Sequence, residues 1–284
     1  MDIVSKENIA SDLRKIGITR GDKLIVHSSL KSIGYVDGGA DTVIDMLMET
    51  VGEDGLLMMP TFTYSYELRV GALPYNKKKT PSETGLVTNA FWRRENVKRS
   101  EHPTHSVAVY GKDAAQFVND HDEHFPPFDE GTPIHRLAMN DGYILLIGVG
   151  HESNSTIHAA EFMADLPFID IKNRESYGSK YIIERDNQSI EKIALCKKLS
   201  GCSHGFGKVE TLDRIINAQK EGYIGRARCK LIKGQEILDA LVPVLREKPD
   251  FLLCSSKTCE GCSKRRKRLE EVQGRARKGY PGNS

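Results

Sequence analysis

The stretch Gly-Tyr-Ile-Leu-Leu-Ile-Gly-Val-Gly-His-Glu-Ser-Asn-Ser-Thr-Ile-His-Ala-Ala-Glu, from Gly142 to Glu161, decides the fold of this chain. Its apolar run, from Tyr143 to Val149, is short, carries no charge and ends in glycine, which indicates a strand buried on both faces. The polar residues that follow are of the types that cap helices, so they predict a helix beginning near Thr156. A buried strand, a polar loop and a helix in this order are typical of an α/β sheet.

The loop and the first helical turn carry side chains suited to chemistry. In open α/β sheets, ligands bind beyond the carboxyl ends of the strands, which is where this loop is expected. His158 and Glu161 share one helix face, where the carboxylate can orient the imidazole or bind a cationic substrate. On spacing alone, a histidine in a first helical turn is more often packed or exposed than catalytic.

The composition of the 284 residues is that of an ordinary globular protein. Hydrophobic residues make up 39% of the chain, which is enough for a full core. The formal net charge of +2 gives no reason to expect nucleic acid as a partner, and no apolar stretch is long enough to span a membrane. The N-terminus lacks the apolar region of an export signal, so we expect a cytoplasmic protein. The formation of a homo-oligomer is left open.

The rest of the chain extends the α/β pattern. The segment from Ser5 to Gly17 has a capping residue, apolar residues at helical spacing and a closing glycine, which predicts a surface helix. Apolar patterning predicts strands at 23–30, 56–60 and 227–232, helices at 40–51, 83–94, 207–222 and 237–245, and a hairpin arm at 180–188. We therefore predict a single three-layer α/β/α domain with a central, largely parallel or mixed sheet.

The domain is expected to cover residues 1–272. Residues 180–272 should pack onto the core, and residues 273–284 should form a disordered tail. The strand at 23–30 would end in a polar tip that contains His27, Ser28 and Ser29. A single histidine at a strand end is usually structural, but two histidines that converge on one sheet edge favour a site.

Three motifs together resemble the aminoglycoside 3-N-acetyltransferase family. The first runs from His27 through the paired glycines Gly38 and Gly39, the second from Arg99 to Gly111, and the third from Gly148 to Glu161. The resemblance covers residues 24–168 and weakens afterwards. It implies an acetyl-CoA-dependent N-acetyltransferase that modifies a primary amine of an aminoglycoside-like or amino-sugar substrate.

The resemblance also implies roles for individual residues. His158 would be the general base, Glu161 would orient it, and His27 would join the catalytic group. The residues that resemble the family's acetyl-CoA site are His27, Ser28, Ser29, Leu30, Arg99, Ser100, His105 and Ser106. Arg99 could hold a phosphate of the coenzyme through paired hydrogen bonds. Donors near Ser28, Ser29 and Ser106 could stabilise the tetrahedral oxyanion.

The acceptor amine is the least defined part of this hypothesis. The expected substrate-binding residues are Tyr64, Tyr66, Glu67, Asp129, Glu130 and Glu152. Asn89 stands where the family often has an acid, and a site for a polycation should offer several carboxylates. We therefore expect an acceptor with one amine on a sugar-like or smaller anionic molecule, with classical aminoglycosides acetylated weakly or not at all.

Two alternatives remain open, one enzymatic and one from a different class. One is an N-acyltransferase acting on an amino sugar of a surface glycan or a nucleotide sugar. The other is a non-catalytic binding protein on the same fold.

Three cysteines near the C-terminus form a separate cluster. Cys254, Cys259 and Cys262 are close together in sequence and precede the basic run from Lys264 to Arg268. They indicate a structural zinc ion, and unligated thiols on a C-terminal helix are the more ordinary alternative. The candidates for a fourth ligand are Cys196, Cys202, Cys229 and His204. We expect the basic run to be a solvated helix face rather than a nucleic-acid-binding element.

Overall fold

The computed structural model of the chain describes residues 3–63, 74–124, 126–169, 179–185, 188–194 and 202–278. Within these ranges the strands are β1 (Ile3–Val4), β2 (Lys23–Ser28), β3 (Tyr35–Val36), β4 (Leu56–Pro60), β5 (Lys98–Arg99), β6 (Val107–Gly111), β7 (Tyr143–Ile147), β8 (Ser179–Arg185), β9 (Gln188–Ala194), β10 (Lys220–Ile224) and β11 (Ala227–Lys233).

The helices alternate with these strands along most of the chain. They are α1 (Lys6–Ile16), α2 (Leu30–Ile33), α3 (Gly39–Val51), α4 (Leu86–Phe91), α5 (Ala114–Val118), α6 (Pro133–Met139), α7 (Thr156–Met163), α8 (Asp213–Ala218), α9 (Gly234–Glu247) and α10 (Glu260–Lys278). Short 3₁₀ turns occur at His121–Glu123, His151–Ser153 and Phe206–Thr211.

The centre of the fold is a seven-stranded mixed sheet in the order β10-β11-β7-β2-β4-β6-β5. The strand β2 is parallel to both β4 and β7, and the outer strands pair antiparallel. In the pairing of β2 with β7, Ser28 lies opposite Ile147. The carboxyl ends of the three central strands therefore meet at one edge of the sheet.

Helices cover both faces of the sheet, because successive residues of the buried strands point to opposite sides. Leu24 and Val26 pack in one core with residues of α1, α3 and α4, whereas Ile25 packs in the other with residues of α6, α7 and α9. The predicted three-layer α/β/α fold is thus confirmed. The sheet itself is mixed, with its parallel part confined to the centre.

Local signals account well for the first helix. Ser5 and Asn8 form a reciprocal capping box at the start of α1, and Gly17 closes the helix in the left-handed conformation. The predicted hairpin arm is also present as β8 and β9. None of the described helices is both long and apolar enough to cross a membrane.

The helix predicted at 207–222 is wrong over much of its length. The chain there forms a 3₁₀ turn, the short helix α8 and then the strand β10. Gly222 lies in β10 against α1, where a Cβ atom would stand 2.6 Å from Ile16 Cγ1. This close approach to a neighbouring helix, together with pairing to β11, outweighs the helical spacing of the apolar residues.

Two predicted boundaries also move. The helix expected at 83–94 is confined to α4, and Gly85 precedes it at a positive φ of 121°. At the other end of the chain, α10 continues to Lys278, past the predicted start of the tail at residue 273.

Candidate active site

The loop between β7 and α7 requires glycine at its first position. Gly148 has a φ of 63°, and a Cβ atom there would stand 2.3 Å from Cβ of Ser32. Its N–H donates to the carbonyl of Arg228 at 2.9 Å, while Ser29 N–H donates to the carbonyl of Ile147. These contacts join the end of β7 to β11 on one side and to the end of β2 on the other, and they set the direction in which the loop leaves the sheet.

The helix α7 begins at Thr156, as the sequence predicts. The Asn154 side chain accepts a hydrogen bond from Thr156 N–H at 3.1 Å, so the polar loop satisfies one of the free donors at the helix start. His158 consequently lies in the first turn of α7, at the carboxyl edge of the sheet.

His158 and Glu161 are in direct contact, and Arg265 lies behind them. His158 Nδ1 is 2.7 Å from Glu161 Oε2, and Arg265 Nη1 donates to Glu161 Oε1 at 3.1 Å. The side chains of Glu161 and Arg265 are 2% and 7% exposed, whereas that of His158 is 19% exposed. The three groups therefore form a chain of contacts. It begins at the partly accessible imidazole, passes through the buried carboxylate and ends at the buried guanidinium.

The charge on Glu161 follows from these contacts. Burial alone would raise the pKa of this carboxyl, but the hydrogen bond from His158 and the charge of Arg265 outweigh it and hold the pKa below its ordinary value. An ionised carboxylate only accepts hydrogen bonds, so His158 must donate from Nδ1. In the neutral imidazole, the lone pair is then on Nε2.

Two aromatic rings hold the imidazole of His158. Phe128 stacks on it with ring centroids 4.9 Å apart and an interplanar angle of 27°. Phe206 meets it edge-on at 4.8 Å. With its ring fixed between these two side chains and its Nδ1 bound to Glu161, His158 has a defined orientation.

Further histidines surround this group and are neutral at physiological pH. Burial, with a smaller effect of the nearby His158, lowers the pKa of His105 to about 3. The His102 Nδ1 accepts from His105 N–H at 2.9 Å, and His121 Nδ1 is 2.9 Å from Ser100 Oγ. Burial lowers the pKa of His121 to about 3 as well. These rings pack and accept hydrogen bonds as neutral groups.

His27 lies at the end of β2, as predicted, and close to His151. Burial, reinforced by the charge that His151 would carry, lowers the pKa of His27 to about 3. Within the described part of the chain, the buried Nε2 of His27 has no hydrogen-bond partner. His151 Nδ1 accepts from the Asn154 amide at 3.2 Å, so this histidine supports the same loop that leads to α7. The structure shows no contact between His27 and His158.

Ser28, Ser29 and Leu30 are half-buried at the turn from β2 into α2. The Ser29 hydroxyl accepts from Ser32 Oγ at 2.9 Å, and its N–H is bound to Ile147, so Ser29 helps to close the sheet edge.

Arg99 is buried in a network of protein acceptors. Its Nε donates to Thr61 Oγ1 and Ser106 Oγ, its Nη2 donates to the Thr61 carbonyl, and its Nη1 donates to the Thr80 carbonyl. Its guanidinium also lies over the Trp92 ring, 4.6 Å from the centroid. Because these donors already bind the protein, Arg99 is placed to hold strands and loops together, and the predicted contact with a coenzyme phosphate would require this network to open.

The serines beside Arg99 have similar partners. The Ser106 hydroxyl donates to the Thr61 carbonyl at 2.8 Å, and the Ser100 hydroxyl accepts from Val107 N–H at 2.9 Å. Both serines are buried, and both hydroxyls are hydrogen-bonded to the protein. A groove of about 920 Å³ is lined by Arg99 and its neighbours, and His158 is not among its lining residues.

The predicted acceptor-binding residues fall into two groups. Asp129 and Glu130 directly follow Phe128, the residue that stacks on His158, and Glu152 is exposed in the loop before α7. Glu152 Oε1 accepts from Gly150 N–H at 2.9 Å. The other group, Tyr64, Tyr66 and Glu67, lies outside the described residues.

Asn89 has a structural role in α4. Its Oδ1 accepts hydrogen bonds from Ser82 N–H at 3.2 Å and from Trp92 Nε1 at 3.0 Å, as well as from the Arg93 guanidinium. An amide oxygen used in this way says nothing about the charge of a substrate.

The cysteine cluster contains four residues. The Sγ atoms of Cys202, Cys254, Cys259 and Cys262 all lie within 4.8 Å of one another. Cys202 was one of the candidates for a fourth ligand, whereas Cys229 lies in β11 with its Sγ 3.3 Å from the Ala227 carbonyl, and Cys196 lies outside the described residues.

Arg265 is a residue of the candidate site that the sequence did not indicate. It belongs to the basic run from Lys264 to Arg268, which we expected to be solvated throughout, and that prediction is wrong at this position. Arg265 follows Cys262 by one helical turn, so both lie on the face of α10 that meets the core. Its spacing from a buried cysteine is the one signal that could have identified it.

The profile of the aminoglycoside 3-N-acetyltransferase family matches residues 25–246. The chain is 30% identical over 250 residues to aminoglycoside N(3)-acetyltransferase IV of Salmonella sp., with 87% of this chain and 90% of the relative covered. It is also 30% identical over 254 residues to the aminoglycoside N(3')-acetyltransferase-like protein YokD of Bacillus subtilis (strain 168). This match covers 83% of this chain and 90% of the relative.

A solved structure has a closely similar fold. It is a histidine-to-alanine mutant of the aminoglycoside acetyltransferase AAC(3)-IVa in complex with a gentamicin. The two chains superpose with a TM-score of 0.79 at 29% identity, over 94% of this chain and 98% of the other.

Proposed function

Because the chain belongs to the aminoglycoside 3-N-acetyltransferase family, it is an acyltransferase, and we propose that it moves an acetyl group from acetyl-CoA to a primary amine of an aminoglycoside-like substrate. His158 serves as the general base in this proposal. The family name supports the reaction, and the contacts of His158 support the assignment of the base.

The observation that carries the assignment is the hydrogen bond between His158 Nδ1 and Glu161 Oε2. It selects the tautomer in which Nε2 has the lone pair, and Arg265 keeps Glu161 ionised. A histidine arranged in this way accepts a proton at a defined atom. Its partial exposure lets a substrate amine approach, whereas His102 and His121 are buried.

The reaction requires a base because an ammonium group has no lone pair. His158 Nε2 takes a proton from the acceptor nitrogen, which attacks the carbonyl carbon of the thioester and forms a C–N bond. The tetrahedral intermediate then breaks its C–S bond, and the coenzyme leaves with the electron pair on sulfur. The imidazolium proton can return to that sulfur, and the attacking nitrogen loses its remaining excess proton to solvent, so that the products are an amide and the coenzyme thiol.

Glu161 and Arg265 balance the charge during this step. When His158 becomes an imidazolium, the adjacent carboxylate stabilises the new positive charge, as the carboxylate does in hydrolase triads. Arg265 in turn prevents Glu161 from being a buried, unpaired charge. No acyl-enzyme is needed, because the acceptor amine is itself the nucleophile.

An aminoglycoside-like acceptor is supported by a structural relative and by the contacts of Asn89. A relative with a TM-score of 0.79 is in complex with a gentamicin, which is an aminoglycoside. The main argument against a polycationic substrate was that Asn89 stands where an acid is expected. The Asn89 side chain accepts hydrogen bonds from Trp92 and from the Ser82 backbone, so its identity is explained by local structure. Asp129, Glu130 and Glu152 remain as carboxylates near the site for pairing with ammonium groups.

The four clustered cysteines lie outside this chemistry. None of the proposed reaction steps uses these thiols, so a zinc ion bound to them would be structural.

The test is a thiol-release assay with acetyl-CoA and a panel of amines. The panel contains gentamicin-type aminoglycosides, neutral amino sugars and an anionic nucleotide amino sugar. We expect kcat/KM for at least one aminoglycoside within the ordinary enzyme range of about 10⁴–10⁸ M⁻¹s⁻¹. Efficient turnover of only the anionic amine would establish a glycan or nucleotide-sugar acyltransferase, and an absence of thiol release across the panel would favour the non-catalytic binding protein.

A further inference from the structure

The cysteine cluster brings together parts of the chain that are far apart in sequence. Cys202 precedes the 3₁₀ turn at Phe206–Thr211, Cys254 follows α9, Cys259 lies just before α10, and Cys262 lies in its first turn. Cys254 and Cys262 are buried, and the other two are half-buried. We propose that these four cysteines bind one Zn²⁺, and that the metal fixes α10 so that Arg265 reaches Glu161.

The size of the cluster suits a single tetrahedral ion. Zinc–sulfur bonds of about 2.3 Å place the sulfur atoms of a tetrahedral site about 3.8 Å apart. The four Sγ atoms already lie within 4.8 Å of one another, so small side-chain movements suffice. A single disulfide would use two of the thiols, whereas one tetrahedral metal ion would bind all four. A set of four thiolates favours zinc over the hard cations.

The surrounding charges match such a site. Four thiolates and one Zn²⁺ carry a formal net charge of about −2. Lys208 Nζ donates to the carbonyls of Phe251 and Leu253, and the Arg266 guanidinium donates to the carbonyl of Cys254. The N–H of Cys254 also points at the Sγ of Cys262, at 3.4 Å. Two cations and a backbone donor thus surround the cluster, and one of those cations comes from the basic run on α10.

The loops that carry the ligands are fitted closely to each other. A Cβ atom on Gly205 would stand 2.1 Å from the carbonyl oxygen of Leu252 and 3.1 Å from the nitrogen of Cys254. The two segments therefore touch through their backbones next to the ligands. This contact holds Cys202 beside Cys254.

The helix α10 needs an anchor beyond its own packing. Of its side chains from 260 to 274, the buried ones are Cys262, Arg265 and Leu269, so only one of them, Leu269, is a large apolar residue. Helices in proteins are stabilised chiefly by packing of an apolar face, and this one offers little. A metal bound to Cys259 and Cys262 would hold the first turn of α10, and Arg265 lies one turn further along the same face.

The consequence for catalysis rests on the proposed function. Arg265 is a positioning residue, because it contacts Glu161 and not the reacting atoms. Loss of the metal should release α10, withdraw Arg265 and leave Glu161 without its partner. The metal would then affect turnover without taking part in the reaction.

Metal content is the first measurement, and it does not depend on activity. Full-length protein purified without chelator should contain about one zinc per chain by inductively coupled plasma mass spectrometry. Cys202→Ser and Cys259→Ser should lose the metal, whereas Cys229→Ser, which changes a cysteine outside the cluster, should retain it. Wild-type protein without stoichiometric zinc, or with a disulfide among the four cysteines, would overturn the site.

The coupling is tested by a double-mutant cycle. Arg265→Ala should retain zinc and lower kcat by on the order of tenfold, with Arg265→Lys partly restoring it. Cys259→Ser should lower kcat by a similar factor, and the double variant should be no worse than the more damaging single variant. Multiplicative losses in the double variant would refute the coupling.

The two proposals can fail separately. Zinc in a wild-type protein that releases no thiol with any amine would leave the metal site standing and remove the proposed function. An active wild-type protein that is inactivated by His158→Ala but unaffected by Arg265→Ala would leave the proposed function standing and remove the coupling.

Discussion

Glu161 and Arg265 are 104 residues apart in the chain, yet Arg265 Nη1 is 3.1 Å from Glu161 Oε1. Both side chains are buried, so their charges are held with little screening by water. The other oxygen of Glu161 binds His158. One of the two residues that keep Glu161 ionised therefore comes from the last helix of the described chain, outside the segment that resembles the family motifs.

Replacing His158 by alanine should abolish most turnover while leaving the fold intact. The expected loss in kcat is on the order of 10²–10⁴-fold, the usual effect of removing a general base. His158 is partly exposed, so the thermal midpoint should change little, and acetyl-CoA should still bind. His124→Asn, at a half-buried histidine elsewhere, is the matched control. Near-normal turnover in a folded His158→Ala protein would falsify the assignment of the base.

Replacing Glu161 by glutamine should lower kcat by on the order of 10²-fold. The amide keeps the shape of the side chain but cannot stabilise an imidazolium by its charge. Steady-state kinetics should show the loss mainly in kcat, with KM for acetyl-CoA nearly unchanged. A variant with unaltered kcat would show that His158 does not depend on the carboxylate.

The same variant should reveal a pH-dependent contribution to stability. The pKa of Glu161 in the folded protein lies below its ordinary value of 4.5. Its contribution is therefore complete above about pH 4.5 and is lost as the pH falls through the lower folded value. The difference in thermal midpoint between wild type and Glu161→Gln should be largest near neutral pH and shrink in acid. A difference that grows as the pH falls would contradict this interpretation.

Three histidines with lowered pKa values should make the stability of the protein depend on pH over a wider pH range than Glu161 alone. His27, His105 and His121 have folded pKa values of about 3, well below the ordinary value of 6.5. The unfolded chain binds more protons than the folded one between these limits, so stability should decline as the pH falls from about 6.5 towards 3. Urea unfolding at several pH values measures this slope, and His105→Gln should reduce it. A free energy of unfolding that is constant from about pH 7 to about pH 4 would contradict it.

Arg99 should matter more for stability than for coenzyme binding. Arg99→Met leaves several buried acceptors around Thr61 and Thr80 without donors, which should cost about 2–4 kcal/mol of unfolding free energy. Urea unfolding gives the stability, and the KM for acetyl-CoA gives the coenzyme contact. A stable variant with a raised KM would instead support the contact with a phosphate.

The features of this structure that depend on local sequence could be predicted. The strand β7, the loop and the start of α7 at Thr156 follow from an apolar run, a glycine and capping residues that act within a few positions. The contact between His158 and Glu161 follows from helical spacing alone. Each of these features is determined by neighbours in the chain.

Features that depend on contacts between distant parts of the chain could not be predicted from the sequence. Gly222 is in a strand because Ile16 lies against it, and Arg99 is buried because Thr61, Thr80 and Trp92 surround it. Arg265 could not be distinguished from its basic neighbours without knowing which face of α10 meets the core. Spacing in sequence identifies a helix face, but the partner of that face is set by the tertiary fold.

The position of Arg265 on the last described helix makes the site sensitive to truncation before α10. A chain ending at residue 259 would contain every described strand of the sheet, together with His158 and Glu161. It would lack the guanidinium that pairs with Glu161. A prematurely terminated product, or one clipped by a protease before α10, would therefore carry the core of the enzyme while holding a buried carboxylate with no cation opposite it.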